Sequence, residues 1–310
     1  MIPPQQQQPP IPSEERWNGV SVPNVKWGAM DVVVAITVTM LIVISILSLG
    51  GAIGTSVGFD TSVTTPVGYY LGGLGVGLVL ILLRMTRSPI WPIMLALAAA
   101  VGVIGGSYLF ATDTGDSVAV LLGVPVVIIS ATAMSGAFAA TGISFSTVLF
   151  REPFSTLGFV KTDGFKPYVF AVGVWLIGLT VLLFWVQALI WLGVDVLVPP
   201  DTAKKALDEA GGSIVITIVL VGILGPIAEE IFFRGYVLPG LIKRFGVGRS
   251  LLLSSVLFGL FHIDPGAIVP TFALGLALGW VYLKTGSIWP AIFAHGLHNT
   301  VAVLIAKYAT

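Results

Sequence analysis

The sequence predicts an all-α, polytopic membrane protein with about nine transmembrane helices. Three observations carry that expectation. Of 310 residues, 56% are hydrophobic and only 10% charged, whereas a soluble domain carries about a quarter charged residues. Mean hydropathy is +0.99, more apolar surface than the polar residues could cover in water. From Asp31 onward the chain runs as apolar stretches separated by short breaks holding charges, glycines or prolines, the pattern of spanning helices joined by short loops. Fifteen Lys and Arg balance fifteen Asp and Glu, so there is no basic footprint for nucleic acid. The absence of cysteine excludes disulfides, thiolate metal sites and cysteine nucleophiles.

Residues 1–27 open as a Pro- and Gln-rich segment. Such a composition does not bury a core and is read as a disordered cytoplasmic tail. No basic region leads into a short apolar stretch there, so it is not read as a signal peptide. Nine spans follow, at 32–53, 67–83, 90–110, 117–140, 168–192, 213–240, 250–263, 266–283 and 287–305. Residues 32–192 are read as accessory transmembrane helices and 213–305 as a transmembrane core. Residues 201–210 form a short surface helix in the loop before that core. Asp264, Pro265 and Gly266 mark a turn between the seventh and eighth spans. Gly275 and Gly279 are four apart, a spacing that lets membrane helices approach closely. Gly73, Gly75 and Gly77 sit inside an apolar span with no strand context, so helix packing is favoured over a nucleotide loop.

The breaks alternate in charge. Eleven basic residues, among them Lys26, Arg151, Lys243, Arg249 and Lys284, fall on one side, against Lys204, Lys205 and Lys307 on the other. The positive-inside rule then places the protein in the cell membrane as a multi-pass chain with its N-terminus cytoplasmic and its C-terminus outside.

Ionisable groups inside spans are costly and mark function by default. They crowd into residues 225–300: Glu229, Glu230 and Arg234 on the sixth span, His262 ending the seventh, and His295, His298 and Asn299 on the ninth. Glu230 and Arg234 are four apart and share a helix face, as do His295 and Asn299. Counted from the nearest basic residue of the cytoplasmic breaks at 1.5 Å per residue, Glu229, His262 and His295 lie about 21, 20 and 17 Å deep. Three helices therefore bring a carboxylate and two imidazoles to similar depth. There is no HExxH, no GxSG frame and no GxGD motif. A buried glutamate can act as general base on a water, and an Asn amide with a His can donate to a developing oxyanion. The same set could bind zinc, because Glu and His are good ligands for it. The sequence assigns no metal site and no cofactor.

Glu229-Glu230-Ile-Phe-Phe-Arg234, Phe258-Gly-Leu-Phe-His262 and His295-Gly-Leu-His-Asn299 resemble the EExxxR, FxxxH and HxxxN motifs of the CPBP family (CAAX-prenyl-protease and bacteriocin-processing, or abortive-infection, family). The resemblance covers about residues 213–305. It implies an all-helical intramembrane glutamic endopeptidase with a cavity open to the cytoplasm. It implies Glu229 as the general base, His262 as its assistant, His295 and Asn299 as the oxyanion site, and Glu230 with Arg234 as a supporting pair. The implied partners are a membrane-associated protein or peptide substrate and the lipid bilayer. The alternatives are a non-catalytic scaffold or immunity and signalling protein of the same family, and a transporter using the buried glutamate as a proton site. The last is disfavoured because no internal repeat is evident.

Overall fold

The computed structural model describes residues 19–40, 126–262 and 264–308. Every regular element among them is helical. They are α1 (Ala29–Met40), α2 (Val126–Ile143), which runs on as a π-helical turn Ser144–Leu149, α3 (Lys166–Leu192), the short α4 (Thr202–Glu209), α5 (Ile214–Leu260), α6 (Pro265–Thr285) and α7 (Trp289–Tyr308). Three of these, α3, α5 and α6, are long and apolar enough to cross a membrane, and the chain is a membrane protein. The expected spans 67–83 and 90–110, together with 41–53 of the first span and 117–125 of the fourth, lie outside the described residues, as do Gly73, Gly75 and Gly77.

The element ends follow local chemistry. Asp201 caps α4 by accepting from the Lys204 N–H at 2.9 Å, which places the expected surface helix at 201–210. Asp264 caps α6 by accepting from the Gly266 and Ala267 N–H groups at 2.8 and 3.3 Å, so the turn read from Asp264-Pro265-Gly266 is present. The sixth span does not stop at residue 240 as expected. The helix continues through Lys243 and Arg244 until Gly246, at φ 73° and ψ 170°, breaks it. That backbone conformation is one glycine adopts without strain. Residues 214–245 and 247–260 are thus two limbs of α5.

The first limb holds two π-helical turns, Ile218–Leu224 and Ile231–Val237. Each ends against a proline. The Gly225 N–H returns to Leu220 O and the Leu238 N–H to Phe233 O. The next donors in each ladder would be Pro226 and Pro239, which have no N–H. The wide turns therefore shift the ladder by one residue where proline interrupts it.

Side chains sort the described loops to two ends of the bundle. At one end the Ser21 N–H donates to Leu283 O at 2.7 Å, Lys243 Nζ donates to Val25 O, Lys26 pairs with Glu152 at 3.1 Å and Ser287 Oγ donates to Val160 O at 2.7 Å. At the other, Lys307 Nζ reaches Gly212 O at 3.4 Å, just beyond α4 with its Lys204–Asp208 pair. This is the partition expected from the charge bias.

The tail expectation fails over residues 19–27. Val20, Val25 and Trp27 are fully buried. Trp27 donates from Nε1 to Tyr236 O at 2.8 Å and stacks on the Tyr236 ring at 4.8 Å between centroids. A fully buried indole with its N–H satisfied offsets the entropy of ordering this strap. Residues 1–18 lie outside the described part.

Close backbone approach builds the core around α5. A Cβ on Gly296 would lie 2.7 Å from Gly222 O, and one on Gly275 would lie 3.1 Å from Ser255 Cα. The Gly275–Gly279 stripe of α6 thus faces the second limb of α5, and α7 crosses the first limb at Gly222. We expect Gly296→Ala to cost about 1–3 kcal/mol by forcing this crossing apart. The check is the unfolding midpoint in detergent, and an unchanged midpoint would show that α7 can shift freely.

Candidate active site

The acidic pair comes from the single α-helical turn Gly225–Glu230 that separates the two π-helical turns. Glu230 is 0% exposed and Arg234 is 1% exposed. Arg234 Nη1 donates to Glu230 Oε1 at 2.9 Å. Its Nη2 donates to Gly275 O on α6 at 3.2 Å, and the guanidinium lies over the Phe258 ring, 4.4 Å from its centroid. One planar fork therefore ties both limbs of α5 and α6 together, geometry an ammonium could not reproduce.

His295 on α7 completes the set. Its Nδ1 lies 2.8 Å from Glu230 Oε1. A carboxylate already receiving an arginine N–H is an acceptor, so the proton between them belongs to the imidazole and Nδ1 donates. The other ring nitrogen, Nε2, then faces Glu229 Oε2 at 3.8 Å. The side chain of Glu229 is 22% exposed, against 0% for Glu230 and 3% for His295. Glu229 Oε2 and Glu230 Oε2 have no hydrogen-bond partner among the described residues. The two adjacent glutamates are thus unequal. Glu230 is fully buried and held through Oε1 by Arg234 and His295, whereas Glu229 is partly open and has Oε2 beside the imidazole.

The structure brings together Glu229, Glu230, Arg234 and His295. It does not join His262 to Glu229. His262 Nδ1 lies 2.9 Å from Phe258 O in its own helix, and the residue is exposed at the end of α5. Contact between the motifs runs through Phe258, whose ring meets His262 edge-on at 5.1 Å and His295 at 5.7 Å. The Glu230–Arg234 pair is more than mutual support, because Glu230 also orients His295.

Asn299 has a structural duty as well. Its Nδ2 donates to Val221 O at 2.8 Å. Val221 O is the carbonyl that Pro226 leaves without a donor in the π ladder, and an unmet carbonyl at this depth is costly. One amide N–H and Oδ1 of Asn299 stay uncommitted by this bond. Asn299→Ala should therefore lower stability by about 1–3 kcal/mol, read as an unfolding midpoint. Lost activity with an unchanged midpoint would assign the amide to the reacting peptide alone. His298, beside Asn299, accepts from Trp175 Nε1 of α3 at 3.2 Å.

Three participants had no assigned role in the sequence reading: the Phe258 ring, Gly275 O and Val221 O. The first had a signal, since Phe258 lies four residues before His262 on one helix face. Pro226, inside a span, was a signal for the third. Among the described residues no group of three or more His, Asp or Glu is arranged to hold a metal ion.

Comparison with known proteins agrees with this core. The family model described as Type II CAAX prenyl endopeptidase Rce1-like matches residues 211–301. The chain is 34% identical over 101 residues to "Putative membrane peptidase YdiL" of Bacillus subtilis (strain 168), covering 33% of this chain and 41% of that protein. It is 30% identical over 81 residues to "UPF0177 protein YxdF" of Lactococcus lactis subsp. lactis (strain IL1403), covering 26% of this chain and 44% of that protein. The chain therefore spans less than half the length of these curated relatives. No solved structure matches. The EExxxR, FxxxH and HxxxN motifs all lie inside residues 211–301, the segment that matches this family model.

Proposed function

We propose that the protein is an intramembrane endopeptidase that hydrolyses a peptide bond of a membrane-associated protein or peptide by a glutamate-activated water. The observation that supports it best is the inequality of Glu229 and Glu230. Glu230 is fully buried and receives both Arg234 and His295. Glu229 is partly open, with an unpartnered oxygen 3.8 Å from His295 Nε2.

In this reading the Glu229 carboxylate takes a proton from a water, and the resulting hydroxide attacks the scissile carbonyl carbon. The tetrahedral oxyanion is met by donors from α7, His295 Nε2 when protonated and the uncommitted N–H of Asn299. Collapse breaks the C–N bond as Glu229 returns the proton to the leaving nitrogen. Glu230 is a positioning residue that holds His295 by Nδ1, so that Nε2 faces the reacting groups. His262, the assistant by family resemblance, lies across the Phe258 ring from His295. N-terminus in the cytoplasm and C-terminus outside remain part of the proposal, supported by the two-ended sorting of basic residues.

The test is cleavage of a peptide library by the purified full-length protein in lipid, read by mass spectrometry. Defined products absent with Glu229→Gln support an enzyme. Capture of peptides without any cleavage would favour the scaffold reading.

A further inference from the structure

We propose that a second site, at the basic end of the bundle, holds the anionic headgroup of a membrane phospholipid. A cavity of about 570 Å³ lies between the Gly19–Trp27 strap and the Gly246 turn of α5. Its wall is apolar, from Val22, Pro23, Ile242 and Phe245, and its charges are Lys243 and Arg249. No acidic side chain lines it among the described residues. Both cations are exposed on its rim.

The charges are available. Lys243 Nζ uses one N–H on Val25 O and keeps two, since an ammonium has three donors. The Arg249 guanidinium makes no hydrogen bond or ion pair to a described residue, in contrast to Lys26, which is paired with Glu152. The same end carries Lys284 over the Trp280 ring at 4.6 Å, a pairing of the kind that settles at the headgroup level of a bilayer. Basic pockets between helices at that level bind anionic headgroups. A small free anion would have no use for the apolar wall. A phospholipid does, because its glycerol and first acyl carbons lie beside its phosphate.

This inference stands apart from the proteolytic reading, and its test needs no activity. The purified full chain in neutral detergent is titrated with phosphatidylglycerol, with phosphatidylcholine, or with inorganic phosphate, and the unfolding midpoint gives the apparent affinity. Phosphatidylglycerol is expected to raise the midpoint saturably, and the other two to leave it unchanged. Each charge removed should weaken that affinity about five-fold, so Lys243→Gln with Arg249→Gln should weaken it about 25-fold. Arg244→Gln removes a charge from the same helix but outside the cavity lining, and should change nothing. Because Lys243 also holds the strap, Arg249→Gln alone keeps the test valid if the double variant does not fold. Equal losses in Arg244→Gln and Arg249→Gln would reduce the effect to diffuse surface charge and overturn the site. Equal stabilisation by inorganic phosphate would replace the lipid with a small anion, and no response to phosphatidylglycerol would remove the site altogether.

Discussion

Glu229→Gln is expected to lower peptide hydrolysis by about 10²–10⁴-fold, the range for losing a general base, while leaving the unfolding midpoint near that of the unaltered protein. The two expectations belong together. Glutamine keeps the shape, and Glu229 Oε2 has no hydrogen bond to lose. The neighbouring substitution should behave in the opposite sense. Glu230→Gln retains an acceptor for Arg234 and His295 but removes the charge that balances a fully buried guanidinium, so it should damage stability first. Activity assays and unfolding midpoints for both variants, measured side by side, check this. A stable, active Glu229→Gln with an inactive, stable Glu230→Gln would exchange the roles of the two glutamates.

Arg234→Ala carries the largest expected structural effect. Removing one partner of a buried ion pair costs about 3–5 kcal/mol, because the other charge is left uncompensated. Here the loss also frees Gly275 O on α6 and uncovers the face of Phe258. Low membrane yield and loss of a monodisperse species in detergent are expected. Arg234→Lys should rescue little. One ammonium on a flexible stem does not serve Glu230 and Gly275 O in two directions while lying flat on a ring. Full yield and an unaltered midpoint for Arg234→Ala would show that the pair is peripheral to the fold.

Much of the site was legible because its chemistry is local in sequence. Glu230 and Arg234 meet at i,i+4, and the structure pairs them at 2.9 Å. Arguing depth from the flanking charges also brought Glu229 and His295 together correctly, because a membrane makes position along a helix nearly one-dimensional. Depth alone did not place His262. Shared depth does not fix azimuth, and the side chain turns back to Phe258 O. The link from His295 to Glu230 was hidden for a related reason. Sequence spacing says which residues share a face of one helix, but not which of two adjacent glutamates faces a helix 65 residues away.

Proline explains another part of what stayed hidden. Pro226 and Pro239 are legible as interruptions, yet whether a helix kinks, breaks or widens there depends on what can satisfy the freed carbonyl. For Val221 that partner is Asn299, 78 residues on. The Gly19–Trp27 strap was misread because its apolar residues follow no period. Trp27 is ordered by a tertiary pocket over Tyr236, which no local pattern announces. The glycine stripe of α6 was legible because small residues at a spacing of four have few other uses in a membrane helix.

In the proposed mechanism the carboxylate of Glu229, rather than a metal ion, activates the water. The most direct measurement is cleavage by the purified full-length protein after exhaustive chelation, beside Glu229→Gln under the same conditions. Unchanged cleavage by the chelated protein, with hydrolysis lost in Glu229→Gln, is the predicted result. Cleavage abolished by chelation and restored by added zinc would contradict it, and would reassign Glu229, His262 and His295 as ligands.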